Sequence, residues 1–256
     1  MSNIKCGIQL YTLRDYCKTI EDIEATLKEL YEHGVRDIQI SGIGKVDWNE
    51  LAEIVKKYEM TVCVTHTSFE RMMKEIDAVI DEHIKLGCDC LGIGGMPGEY
   101  ERTQEGVDKF ISDLIPVAKR MRERGVHLAY HNHDFDLKLY GGKSILDRML
   151  ELDADLLWFV PDVAWIQIAG ETPAEYLKKM QGRVKVLHFK DYNPVEGQDH
   201  PWAFTGLGKG VVDLNACYNT AKEMGIPYIM FEQDNNWTVN AMESSKESFD
   251  YMLTLK

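Results

Sequence analysis

No two of the six cysteines (Cys6, Cys17, Cys63, Cys88, Cys90 and Cys217) form a C-x-x-C pair, and zinc-ribbon spacing is absent. Several sit in apolar strand-like runs, so buried free thiols in a reducing compartment are expected rather than a disulfide framework. Long apolar runs are also missing. None approaches membrane-spanning length, and the start, MSNIKCGIQL, has no charged region followed by a long apolar one. A cytoplasmic protein is the expectation. Positive charge is scarce as well: at a formal net charge of −13 the chain lacks the basic footprint that nucleic acid or an anionic membrane demands. Neither is expected as the main partner. No Pro/Ser/Gly-rich linker or low-complexity segment divides the 256 residues, which read as one domain over 1–256.

What the chain does have is alternation. Eight short apolar runs, near Lys5–Leu10, Val35–Ile40, Thr61–Thr65, Cys90–Gly94, Val126–His131, Leu156–Asp162, Val184–Phe189 and Pro227–Glu232, alternate with helical patterns. Their starts lie 30, 26, 29, 36, 30, 28 and 43 residues apart, a βα unit repeated about every thirty residues with an insertion before the last strand. The helices carry their own punctuation. Thr19 with Asp22 and Asp47 with Glu50 open two of them, Thr172-Pro173 opens the sixth, and Gly34, Gly87 and Gly125 close others. The connection near Ser144 to Leu152 reads as the shortest helix. Eight such units predict a single (β/α)8 barrel. An open doubly wound sheet would more often show a Gly-rich fingerprint after strand one, and here that strand runs into Gln9-Leu10-Tyr11.

In such a barrel the active site is built at the C-terminal strand ends. In order these carry Gln9, Gln39, His66, Gly94-Gly95, His131 with His133, Asp162, His188 with Lys190, and Glu232 with Asp234. His131 and His133, two apart at the strand end, would face one side together. His131, Asp162, His188 and Glu232 put metal-type ligands on four consecutive strands. Two imidazoles and two carboxylates suit Mn²⁺, Co²⁺, Fe²⁺ or Zn²⁺, and Mg²⁺ less well. Taken singly, Asp162 could cap a turn, His188 could be a satisfied core histidine, and Glu232 could pair with Lys190. Lys190 could hold a negative oxygen, and His66 is an acid/base or hydroxyl-binding candidate. Trp165, Trp202, Phe204 and Trp237 are expected in loops above the barrel, where aromatic faces suit a sugar; Gln9 and Gln39 are further candidates for contacting substrate. Gly206 to Gly210, GLGKG, lies where barrels frequently bind phosphate, but it is not a Walker A motif.

The segments YHNHDFDL, PDVAWIQIAG, VLHFKDY, GLGKGVVDL and MFEQD, in that order, together with GIQLYTLRD, resemble the xylose isomerase-like sugar isomerase/epimerase superfamily, the AP endonuclease 2-type barrel. Within it they are most similar to a YHNHDF/HxKD branch, and the resemblance runs from about Cys6 to Leu253. It implies one divalent metal held from strands five to eight, at His131, Asp162, His188 and Glu232. Two departures stand out. His131 occupies the place of a glutamate in many relatives, and Trp165 that of a histidine in D-x-x-H, so a paired-glutamate epimerase mechanism is not recoverable. The resemblance implies an isomerase or epimerase of a carbonyl-bearing sugar or cyclitol, working by α-proton abstraction through a metal-stabilised enediolate. His133, His66 or Glu232 would be the base, with Lys190 balancing charge. The rival is a dehydratase or lyase on an inosose or 3-keto-glycoside. An endonuclease IV-like phosphodiesterase or a sugar-binding barrel without turnover follows behind. Acidic barrels of this kind are frequently dimers or tetramers, so a homo-oligomer is expected, although no segment marks an interface.

Overall fold

The computed structural model describes residues 4–197 and 201–255. All eight apolar runs are strands: β1 (Lys5–Gln9), β2 (Asp37–Ile40), β3 (Thr61–His66), β4 (Cys90–Ile93), β5 (His127–His131), β6 (Leu157–Val160), β7 (Val186–Phe189) and β8 (Tyr228–Phe231). They pair in parallel in the order β6-β5-β4-β3-β2-β1-β8-β7. The seam between β6 and β7 is spanned by two isolated bridges, Phe159–Val184 and Asp162–His188. The barrel is therefore nearly closed, and the second bridge lies at the strand ends where chemistry is expected.

Local chemistry explains the helices. Thr19 and Asp22 form a reciprocal capping box at α1 (Ile20–Glu32), and Asp47 accepts two backbone N–H groups at α2 (Trp48–Lys57). Ser68, Thr103 and Ser144 cap α3 (Phe69–Lys85), α4 (Gln104–Glu123) and α5 (Ile145–Leu150) in the same way. The sixth connection departs from expectation: it holds two helices, α6 (Val163–Ile168) and α7 (Pro173–Leu177). Asp162 caps α6 directly at the strand end, Gly170 ends it at φ +95°, and Pro173 starts the next. The five-residue α7, and not the helix after Ser144, is thus the shortest. Asp213 and Asn240 open α8 (Leu214–Met224) and α9 (Ala241–Thr254).

The long spacing before β8 is an antiparallel ribbon, Asp191–Pro194 against Trp202–Thr205, which carries Trp202 and Phe204. Trp165 lies on α6, not in a loop. The barrel centre away from the site is filled by Cys63, Val64, Cys90, Ala129, Val160, Val186 and Met230, while two larger apolar clusters sandwich strands against helices. Each buried aliphatic side chain there contributes about 1.5–3 kcal/mol relative to exposure. All six cysteines are free, and all but Cys6 are buried. Among the described residues no helix is long and apolar enough to cross a membrane.

Candidate active site

Four side chains from consecutive strand ends converge. Ligand atoms of His131, Asp162, His188 and Glu232 all lie within 4.8 Å of one another, and all four residues are buried. In His188 and Asp162, one polar atom is spent on the scaffold and the other points inward without a hydrogen bond. His188 Nε2 donates to Gln39 Oε1 at 2.7 Å, which leaves Nδ1 with a free lone pair. Asp162 Oδ1 accepts from Trp165 N at 3.0 Å, so the turn-capping role and the ligand role each take one oxygen, and Oδ2 stays without a hydrogen bond. Glu232 Oε2 likewise lacks a hydrogen bond, although Lys190 Nζ stands 3.2 Å away. His131 Nδ1 donates to the carbonyl of Val160 at 3.1 Å, which directs Nε2 elsewhere. Backbone or amide partners that fix imidazole tautomers in this way are usual around metal ligands.

The charges agree with the geometry. Lys190 Nζ sits 3.2 Å from Asp162, 3.2 Å from Glu232 and 3.1 Å from Asp234. Burial alone would lower this ammonium, but the three carboxylates together hold it well above its ordinary value. Burial pushes Asp162 upward, against the pull of Lys190. Three carboxylates against one ammonium leave two negative charges when the imidazoles are neutral. His188 Nδ1 and Glu232 Oε2 stand 2.9 Å apart without the angles of a good hydrogen bond, as lone pairs converging on one point do. Converging ligand atoms without hydrogen bonds and two negative charges beyond what Lys190 neutralises make this donor set fit a divalent cation.

Around this floor stand the remaining candidates. β5 ends at His131, so His133 is held by a short 3₁₀ turn (Asp134–Leu137) instead of by the strand. Asp136 anchors it by accepting from His133 N and from the Tyr130 hydroxyl, each at 2.7 Å. Both histidines still line one inner cavity of about 310 Å³, with Lys190, Glu232 and His66. Burial, aided by Lys190, lowers His133 to about 4, so its ring is uncharged near neutral pH; its Nδ1 has no partner. His66 is lowered to about 3, mainly by burial. Its Nε2 meets the amide nitrogen of Gln39 at 2.9 Å. A Cβ at Gly92 would lie 2.7 Å from this ring and 2.6 Å from the Thr65 carbonyl, so only glycine leaves room for it.

Other candidates land differently. Gln39 is fully buried and bridges His66 and His188. Gln9 is also fully buried; its Oε1 accepts from Tyr11 N and its Nε2 is unpaired. Trp165 and Trp202 line a second, outer cavity of about 820 Å³. The GLGKG loop is no phosphate cradle. The N–H groups of Gly208 and Gly210 donate to Asp191 Oδ2, and those of Tyr192 and Val212 to its Oδ1. An internal carboxylate already occupies the place an anion would take. A Cβ at Gly210 would lie 2.2 Å from that carboxylate, which accounts for the glycine. Asp191, Asp136 and Asn132, whose Oδ1 accepts from Asp162 N, are the supporting residues that strand-end reasoning passed over. The H-x-x-D spacing of His133 and Asp136 was the one signal available.

Comparison with known proteins agrees with this architecture. A family model described as a xylose isomerase-like TIM barrel matches residues 20–255. The inosose dehydratase of Lacticaseibacillus casei is 24% identical over 177 residues, covering 62% of this chain and 53% of that protein. The chain thus spans about half the length of that relative. The inosose dehydratase of Clostridium perfringens (strain 13 / Type A) is 23% identical over 251 residues, covering 90% of this chain and 80% of its own. A solved sugar phosphate isomerase/epimerase from Parabacteroides distasonis ATCC 8503 superposes with a TM-score of 0.79 over 98% of both chains at 21% identity, a likeness of fold. With the matched model spanning nearly all of the sequence, the chain belongs to the xylose isomerase-like TIM barrel family.

Proposed function

We propose that this protein is a metal-dependent enzyme that removes the proton next to a carbonyl in a sugar or cyclitol, with isomerisation or epimerisation as the outcome. The observation that carries the reading is the cluster beside the inner cavity: converging ligand atoms without hydrogen bonds, two negative charges beyond what Lys190 neutralises, and an uncharged histidine on the cavity wall. His131, Asp162, His188 and Glu232 would hold one divalent ion, Mn²⁺, Co²⁺, Fe²⁺ or Zn²⁺ before Mg²⁺, whose contribution when bound is Lewis-acid polarisation of the carbonyl. His133, neutral and on the cavity wall, accepts the α-proton. Lys190 faces the negative oxygen that develops as the proton leaves. His66 lines the same cavity and contacts a hydroxyl.

The relatives named inosose dehydratase favour a second reading with the same first step, in which a β-leaving group departs after proton loss. Deuterium uptake from D₂O into a panel of ketoses, inososes and 3-keto-glycosides, with and without Mn²⁺, tests both. Uptake of one deuteron that needs the ion and is lost in His188→Ala and Glu232→Ala supports the shared step. A change in product composition then selects the lyase. Absence of exchange across the panel would remove both readings.

A further inference from the structure

The site has two rooms, and the chemistry above uses one. The inner cavity, about 310 Å³, is lined by His66, His131, His133, Lys190 and Glu232 and is sized for a single ring. The outer cavity is about 820 Å³ and meets the inner one at His133 and Asp234, which line both. A monosaccharide that fills the inner room leaves the outer one empty.

The outer lining indicates what it would hold. Phe135, Trp165, Trp202 and Phe204 supply four aromatic rings. Trp165 meets Trp202 at 86° and Phe204 at 79°, so these rings pack edge-on and do not cover one another face to face. Of the charged groups in the lining, Arg102 and Lys138 are positive and Asp134 and Asp234 negative. Lys138 pairs with Asp134 at 3.0 Å, Asp234 pairs with Lys190, and the Arg102 guanidinium lies 3.6 Å from the Phe135 ring. The amides of the nearby glycine loop are occupied by Asp191. Among the described residues the lining itself thus carries no net positive charge and no free amide cradle, which argues against a phosphate there. Among the described residues, Trp165 Nε1 is a buried donor without a hydrogen-bond partner in the wall of this chamber, beside the unpaired His133 Nδ1. A buried indole N–H is normally satisfied, so an acceptor belongs beside it.

We propose that the outer chamber is a second binding subsite for a neutral ring joined to the reacting ring, the second sugar or aryl aglycone of a glycoside. The apolar face of that ring packs on the aromatic walls, and an oxygen of the ligand accepts from Trp165 Nε1. This rests on the inner cavity being a sugar pocket, but it does not depend on turnover.

The test is binding, by calorimetry on the full-length protein, of methyl β-D-glucoside, phenyl β-D-glucoside, cellobiose and glucose 6-phosphate. At least one two-ring probe should bind about tenfold tighter than methyl glucoside. Trp202→Ala should shrink that margin to about threefold or less without changing methyl glucoside affinity, while Trp202→Phe keeps most of it. Phenyl glucoside ahead of cellobiose identifies an aryl group, and the reverse order a sugar. Equal affinities, failure of both two-ring probes to saturate, or tightest binding by glucose 6-phosphate would overturn the subsite. A two-ring preference without deuterium exchange would keep the subsite and discard the carbanion chemistry; exchange without the preference would do the opposite.

Discussion

The two ends of this barrel obey different rules. Below, the centre is closed by Val64, Ala129, Val160, Val186 and Met230 with the thiols of Cys63 and Cys90, all buried and apolar in character. Above, the same radius is occupied by His66, His131, His188, Lys190 and Glu232. Among the described residues, eight buried side-chain polar atoms lack a hydrogen-bond partner, and seven of them lie at the upper end, on Gln9, Asn132, His133, Asp162, Trp165, His188 and Glu232. An orphaned buried donor or acceptor costs about 1–3 kcal/mol, so a protein concentrates them only where something else completes them. The lower end is built for stability and the upper end for a ligand.

The largest effect should come from the residue holding the upper end together without an ion. Lys190→Met strands Asp162, Glu232 and Asp234, and should cost about 3–5 kcal/mol in metal-free protein. Chemical denaturation in EDTA measures it, and added Mn²⁺ should restore more stability to the variant than to the parent. At the lower end, Met230→Ala opens a cavity against Gly7 and should cost about 2–5 kcal/mol while Mn²⁺ affinity stays within about twofold. A collapse of metal binding there would erase the distinction between the two ends.

Gln39→Leu sharpens the comparison, because the amide oxygen fixes the ring of the candidate ligand His188. Freeing the His188 ring should weaken Mn²⁺ binding by about 10- to 100-fold, with a small change in melting temperature. Isothermal titration reads the first, and ¹⁵N shifts of His188 report the loss of the Nε2–H tautomer.

A pH profile separates a satisfied polar group from the orphans. Burial raises Asp136 to about 7 from an ordinary 3.8, so between those values the folded chain binds a proton that the unfolded chain has released. Its contribution to stability is therefore full below about pH 4 and is lost as pH rises to about 7, with a slope of at most about 1.4 kcal/mol per pH unit. Asp136→Asn should flatten that part of the profile. An unchanged slope would contradict the assignment.

Much of this was legible in the sequence for a physical reason. The period of about thirty residues reflects a repeated packing unit, and the strand-end rule then places His131, Asp162, His188 and Glu232 around one point. Partners across the barrel were not legible. Gln39 reads as a free polar residue until β7 is placed opposite it, and Asp162 reads as either a cap or a ligand although its two oxygens do both. GLGKG illustrates the converse. Its glycines signal a close approach of backbone, but the group approached is Asp191 and not a phosphate.

The most direct test is titration of EDTA-treated protein with Mn²⁺, followed by calorimetry and by the electron paramagnetic resonance of the bound ion. One ion per chain should bind, and His188→Ala or Asp162→Asn should each abolish it without unfolding the barrel. No binding, or binding that survives both substitutions, would mean that the unpaired atoms at the upper end were not gathered for a metal.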